Sequence, residues 1–152
     1  MQGVLVFLAG SHRLCVAVGD VLKLVVEGPV TPIPFGHTAL AGVIDAGDGA
    51  ITPVFDLRGL TADAVPTHVE GAMVAVIPTS IGPIGLRLDR LLGTAARYTA
   101  SAATSEQPAP AGVSRVVDGV GKADGTASAS IGDDVFWFFS TDAFIAAVGL
   151  AG

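Results

Sequence analysis

Cysteine, aromatic rings and charge are all scarce in this chain of 152 residues, which carries one Cys, 6% aromatic residues and 14% charged residues. A lone cysteine closes no internal disulfide. Cys15 lies in the apolar, strand-like run Leu14-Cys15-Val16-Ala17-Val18 and reads as a buried structural thiol, because a reactive one needs an exposed, electropositive setting. Basic residues number 8 against 14 acidic ones and form no cluster, so the phosphate neutralisation behind nucleic-acid affinity has no source. DNA and RNA are excluded as partners. Pro and Gly interrupt every longer apolar stretch, and the opening MQGVLVFLAG is too short for a signal core and has no positive leader. No membrane insertion is expected, and a cytoplasmic location is.

Catalytic signatures are missing as well. GxSxG, GxxxxGK[ST], DTG and DSG are absent, and His12, His37 and His68 stand far apart, outside any HxxxH, HxxE or Cys/His cluster. No catalytic residue, metal ligand or cofactor is expected. Asp45, Asp48 and Asp56 could gather around a central turn as oxygen ligands of a hard cation. Their spacing is shorter than a twelve-residue calcium loop, and Asp before Gly is what a tight turn favours, so they read as turn residues. Asp118-Gly119 and Asp124-Gly125 read the same way. The contrary reading, a small enzymatic or ligand-binding β-barrel, requires a deep polar pocket enclosing at least two of Asp45, Asp56, His37 and His68.

Present in quantity are hydrophobic residues (51%), 20 Gly and 9 Pro, which favour short strands and turns around one core or two small ones sharing an interface. Strands are predicted over 4–9 and 14–18. Asp20 can cap a short helix carrying Val21, Leu22, Leu24 and Val25, although the β-branched residues also permit a strand. Residues 28–34, with three prolines, form an extended surface loop. Apolar runs 39–46 and 50–57 flank Gly47-Asp48-Gly49 as a β-hairpin, which reads as the scaffold of the chain. Residues 60–66 connect two halves, with a boundary near 67. The run 71–79 reads as a strand buried on both faces, turned at 80–83 into 84–88. Small and polar, 99–112 reads as a mobile loop. Runs 113–117 and 120–123 flank Asp118-Gly119 as a late hairpin. The segment 135–139 (VFWFF) is the last strand, with rings on both sides, and Ser140 or Thr141 caps a short helix holding Phe144, Ile145, Ala147 and Val148.

Ile33-Pro34, then Gly42-Val43-Ile44-Asp45, then Pro53-Val54-Phe55-Asp56-Leu57-Arg58 resemble the IP, GVINLRG and PVVDLR succession of the CheW-like family of chemotaxis coupling proteins. A second stretch, Gly85-Leu86-Arg87-Leu88-Asp89-Arg90-Leu91-Leu92, resembles the family's GLxVDxVL. The likeness covers most of the chain and is weakest between 94 and 134. The central turn departs from the pattern: it is one residue longer, and Gly47 or Asp48 stands where the family has Arg.

The resemblance implies an all-β, mostly β fold of two packed SH3-like five-stranded barrels with short helices, and after Asp20 a brief helix leading into a strand. Residues 1–152 would form a single CheW-like domain with a subdomain boundary near 66 and terminal segments free to cross between the halves. It implies a non-catalytic adaptor, one surface engaging the helices of a chemoreceptor tip and others a CheA-type histidine kinase. Val21, Leu24, Gly42, Leu88 and Leu91 occupy places where the family pattern suggests an apolar groove between the barrels. Lys23 and Asp48 stand where the family commonly pairs Glu with Arg, which implies a swapped ion pair. Such an exposed pair contributes only ~0–1 kcal/mol, so its effect would fall on partner choice. The reversal leaves open an adaptor for a related pathway, such as one controlling twitching motility, or for one partner alone.

Overall fold

The computed structural model of the chain describes residues 3–34, 36–47, 49–60, 64–124, 131–132 and 134–149. In chain order these form β1 (Val4–Ala9), β2 (His12–Ala17), β3 (Lys23–Val26), β4 (Leu40–Asp45), β5 (Ile51–Phe55), β6 (Met73–Ile77), β7 (Ile84–Leu88), β8 (Arg90–Ala95), β9 (Tyr98–Ser101), β10 (Val117–Ala123), β11 (Phe136–Phe139) and α1 (Thr141–Ala147). They make two sheets, ordered β8-β1-β2-β11-β10-β9 and β3-β6-β7-β5-β4. The fold is mostly β, as expected, and one sheet has six strands instead of five.

The sheets are not successive in sequence. β11 returns to pair parallel with β2, so the first hairpin and the last four strands share a sheet, while β3 to β7 build the other. The chain changes sheet after Ala17 and again after Leu88. The division placed near residue 66 therefore falls inside the run that builds the five-stranded sheet, whose β5 and β7 pair across it.

Period-2 alternation distributes the apolar side chains among three cores. Leu5, Phe7 and Ala9 of β1 face a core shared by both sheets, together with Ile84, Leu86 and Leu88 of β7, and Phe144 of α1. Val4 and Val6 point the other way, into a core with Cys15, Leu92 and Phe136 that belongs to the six-stranded sheet. Ala41, Ile44, Val54 and Val74 form the interior of the five-stranded sheet. The VFWFF strand is covered on both sides for this reason: Trp137 and Phe139 enter the shared core, whereas Phe136 and the half-buried Phe138 belong to the other. Ser140 caps α1, its Oγ accepting from Ala143 N–H at 3.2 Å.

Three local readings need correction. The brief helix leading into a strand is there, but it ends earlier than expected: it is a single 3-10 turn at Val18–Asp20 that Asp20 closes and does not cap, and Leu24 and Val25 already belong to the strand. Pairing of Lys23–Val26 with β6 outweighs the capping signal, as its β-branched residues allow. The late hairpin is a single strand, β10, whose register shifts between Val117 and Val120, so Asp118-Gly119 is a bulge and not a turn. The loop expected over 99–112 begins as strand β9, which pairs with β10 through residue 101. The central turn is a turn: Asp45 Oδ1 accepts from Gly47 and Gly49 N–H at 2.9 and 3.2 Å.

Cys15 is buried, and its thiol pKa is pushed up, first by burial and then by the Asp118 charge. Because the folded value lies above the unfolded one, about 8.5, the thiol's contribution to stability is complete below that pH and declines as pH rises beyond it. A disulfide-exchange dye should find no reactive thiol in the native protein and one after denaturation. Cys15→Ala should flatten the alkaline fall in stability. Native reaction at the rate of a free thiol would refute both expectations.

Candidate partner-binding groove

The shared core reaches the surface where the chain first passes from one sheet to the other. Leu5 on β1, Thr94 opposite it on β8, and Val18, Val21, Lys23 and Leu24 on the crossing segment line a cavity of about 280 Å³. A second cavity of about 320 Å³, lined by Gly3, Val18, Gly19, Thr94 and Ala96, shares Val18 and Thr94 with the first. Together they form an open channel with an aliphatic wall. Val21 and Leu24 are half-buried against the shared core, while Val18 stands exposed at the mouth. The crossing itself makes one wall, and the β1–β8 ladder makes the other.

Three residues singled out from the sequence, Val21, Lys23 and Leu24, are thus brought together. Leu91 pairs with Phe7 and packs against the shared core without lining either cavity. Leu88 is 0% exposed within that core and lines neither cavity. Gly42 is buried in the five-stranded sheet under the crossing of residues 30–31. The Lys23 ammonium donates to Ala46 O at 3.0 Å, so it does reach the central turn. Asp48, the other member of the expected swapped pair, lies outside the described residues.

Sequence reasoning missed a buried ionic network inside the five-stranded sheet. Since Ile84, Leu86 and Leu88 take the shared-core face of β7, Arg87 points into the opposite interior and is 1% exposed. Its Nε donates to Glu27 Oε1 at 2.6 Å and its Nη1 to Asp56 Oδ2 at 2.9 Å. Nη1 and Nη2 also donate to Pro66 O at 2.7 Å and Thr67 O at 2.8 Å. Glu27 Oε2 accepts from Val69 N–H at 2.8 Å and faces His68 Nδ1 at 3.0 Å. Asp56 Oδ2 also pairs with Arg58, which continues to Asp89, and Asp89 Oδ2 accepts from Gly10 N–H at 2.6 Å. Partial burial opposes the Arg58 charge, but the Asp89 hydrogen bond and the charges of Asp56 and Asp89 outweigh it and hold the guanidinium pKa above its usual value. The available signal was a charge set between apolar neighbours in a β7 whose other face is buried.

The polar-pocket reading brings two of its residues to one place, but into a hydrogen-bonded network and not around a cavity. Asp56 and His68 meet the same network, which is closed by mutual hydrogen bonds. His37 Nδ1 accepts from Ala39 N–H at 2.9 Å within its own loop. None of these three lines the cavities described. Among the described residues, no group of three His, Cys, Asp or Glu side chains is placed to hold a metal ion, and no helix is long and apolar enough to cross a membrane.

Comparison with curated proteins finds no match. Among solved structures, the scaffolding protein TtCheW from Thermoanaerobacter tengcongensis superposes with a TM-score of 0.67 at 18% identity, over 91% of this chain and 88% of that one. The sequence model of the CheW-like domain matches residues 3–132. With that match spanning both sheets, the chain belongs to the CheW-like domain family.

Proposed function

We propose that the chain is a non-catalytic adaptor in chemotaxis-type signalling, working in the cytoplasm to couple chemoreceptor helices to a CheA-type histidine kinase. The observation that carries this reading is the open aliphatic channel at the crossing between sheets, in a member of the CheW-like family. An amphipathic helix binds such a channel by laying its apolar face against the wall, while polar groups at the rim set its direction. Val21 and Leu24 supply the wall, and Lys23 and Thr94 supply the rim. Both sides rest on one packed core, so the channel is formed before a partner arrives, which reduces the entropy lost on binding.

Val18 and Thr94 are the positions to test, since both are exposed and their replacement leaves the core intact. Calorimetry against a CheA-type kinase and a receptor cytoplasmic fragment from the same genome should show binding by the native chain. Val18→Glu and Thr94→Glu should weaken binding to at least one of the two by about tenfold, or 1.4 kcal/mol, with unchanged melting temperature. Binding to neither protein overturns the adaptor reading, and undiminished binding by both variants overturns the channel. Preference for the kinase of a twitching-motility pathway would assign the same adaptor to that system.

A further inference from the structure

The five-stranded sheet curls until its outer strands, β3 and β4, face each other across a gap, and among the described residues a tie closes each end of that gap. At one end Thr31 and Val43 exchange both main-chain hydrogen bonds, each 2.9 Å. At the other, the Lys23 ammonium holds Ala46 O. Between the ties lies a cavity of about 440 Å³ whose walls include Val25, Val26, Val43, Ile44, Asp45 and Ile51.

The walls present main-chain polar groups as well as aliphatic ones. Glu27 N–H donates to Ala72 O in line with the β3–β6 register, so by two-residue alternation the main-chain groups of Leu24 and Val26 face away from β6. On β4, Val43 turns both of its groups to Thr31, and those of Asp45, two residues on, face the same outer edge. Among the described residues, neither set pairs with another strand. Val26 and Ile51 are 73% and 67% exposed beside them. Unpaired strand edges flanked by bare aliphatic side chains are what soluble proteins ordinarily cover.

We propose that this seam is a second docking surface, taking one extended strand of a partner protein with a cationic side chain set beside Asp45. An extended strand fits because it offers donors and acceptors along its edges, whereas a helix has already satisfied its own. A cation fits because Asp45 is the one charged side chain among the described lining residues. Its Oδ1 is engaged by the turn, and it is exposed in a chain with 14 acidic and 8 basic residues. The seam is separate from the channel, which lies between the sheets, and Lys23 adjoins both: its side chain lines the channel, and its ammonium closes one end of the seam.

The test pans the full chain against a phage library of random octapeptides and measures the enriched peptide, made synthetically, by fluorescence anisotropy. The expected peptide alternates Val, Ile or Thr with polar residues and includes Arg or Lys. Val26→Lys and Ile51→Lys, both at exposed positions, should each weaken it about tenfold or more, while Val18→Glu leaves it unchanged. Hydrogen exchange of the Val26 and Asp45 amides, followed by NMR, should slow on binding. Absence of enrichment, helical or acidic consensus peptides, indifference to Val26→Lys, or unprotected amides would each overturn the proposal. So would a concentration-dependent dimer abolished by Val26→Lys, since the occupant would then be a second copy of the chain. The channel variants and the seam variants touch different residues, so either surface can fail while the other stands.

Discussion

Arg87→Met should lower the unfolding free energy by about 3–5 kcal/mol, a large share of the roughly 5–15 kcal/mol available to a domain of this kind. Methionine fills much of the arginine's volume, so the loss is not chiefly a cavity effect. It arises chiefly because Glu27 stays buried without the guanidinium that balances it, Asp56 keeping Arg58, and because Pro66 O and Thr67 O lose their donors. Urea denaturation gives the magnitude. Adding Glu27→Gln to Arg87→Met should restore part of the loss, because the stranded charge is then removed. A cost under about 1 kcal/mol for the single variant would mean that the guanidinium is replaced by water at no penalty, against the burial described.

Gly42→Ala should cost about 1–3 kcal/mol, even though alanine adds one methyl group. An ideal Cβ at that position would sit 2.7 Å from Val30 Cγ1 and 2.8 Å from the Thr31 carbonyl carbon, and closer still to Thr31 O. The φ of 154° adds strain for any L side chain. To make room, the Thr31–Val43 tie that closes one end of the seam must open. In a chain of this size the melting temperature should fall by about 2–4 °C per kcal/mol. Gly28→Ala is the control, since nothing lies within 4 Å of its would-be Cβ. If Gly42→Ala were as mild as Gly28→Ala, the close approach of the two chain segments would be refuted. The experiment also separates roles at Gly42, one of the positions assigned to the partner groove on family pattern: a structural glycine changes the melting curve before it changes any affinity.

Legibility in the sequence followed the range of the forces involved. β1 and the central hairpin were readable because alternation and turn chemistry are local, and Asp45 does what an Asp two residues before Gly47 is expected to do. Asp118-Gly119 misled because a bulge and a turn use the same residues. Only the pairing of Val120 with both residue 101 and Trp137 decides between them. The strand at Lys23–Val26 is decided by β6, some fifty residues away in sequence. The segment 60–66 reads as a connection between halves with a boundary near 67, yet Arg87 holds Pro66 O and Thr67 O and Glu27 holds Val69 N–H, which fastens that boundary to the sheet. Of the channel, Val21, Lys23 and Leu24, within four residues of one another, were accessible to pattern; Leu5, Val18 and Thr94 join them only because the chain crosses between sheets there.

The parallel pairing of Trp137 with Leu14 and Phe138 with Cys15 has a consequence for how the molecule is made. A ribosome releases β1 and β2 long before the strand that must lie beside them, whereas β3 to β7 leave as an uninterrupted block. The block between should therefore be able to assemble while synthesis continues, and the opening hairpin must wait, its apolar flank uncovered, until the final strand emerges. Long-range closure of this kind is slow and exposes sticky intermediates, so nascent chains halted before residue 136 are where chaperones should be needed most.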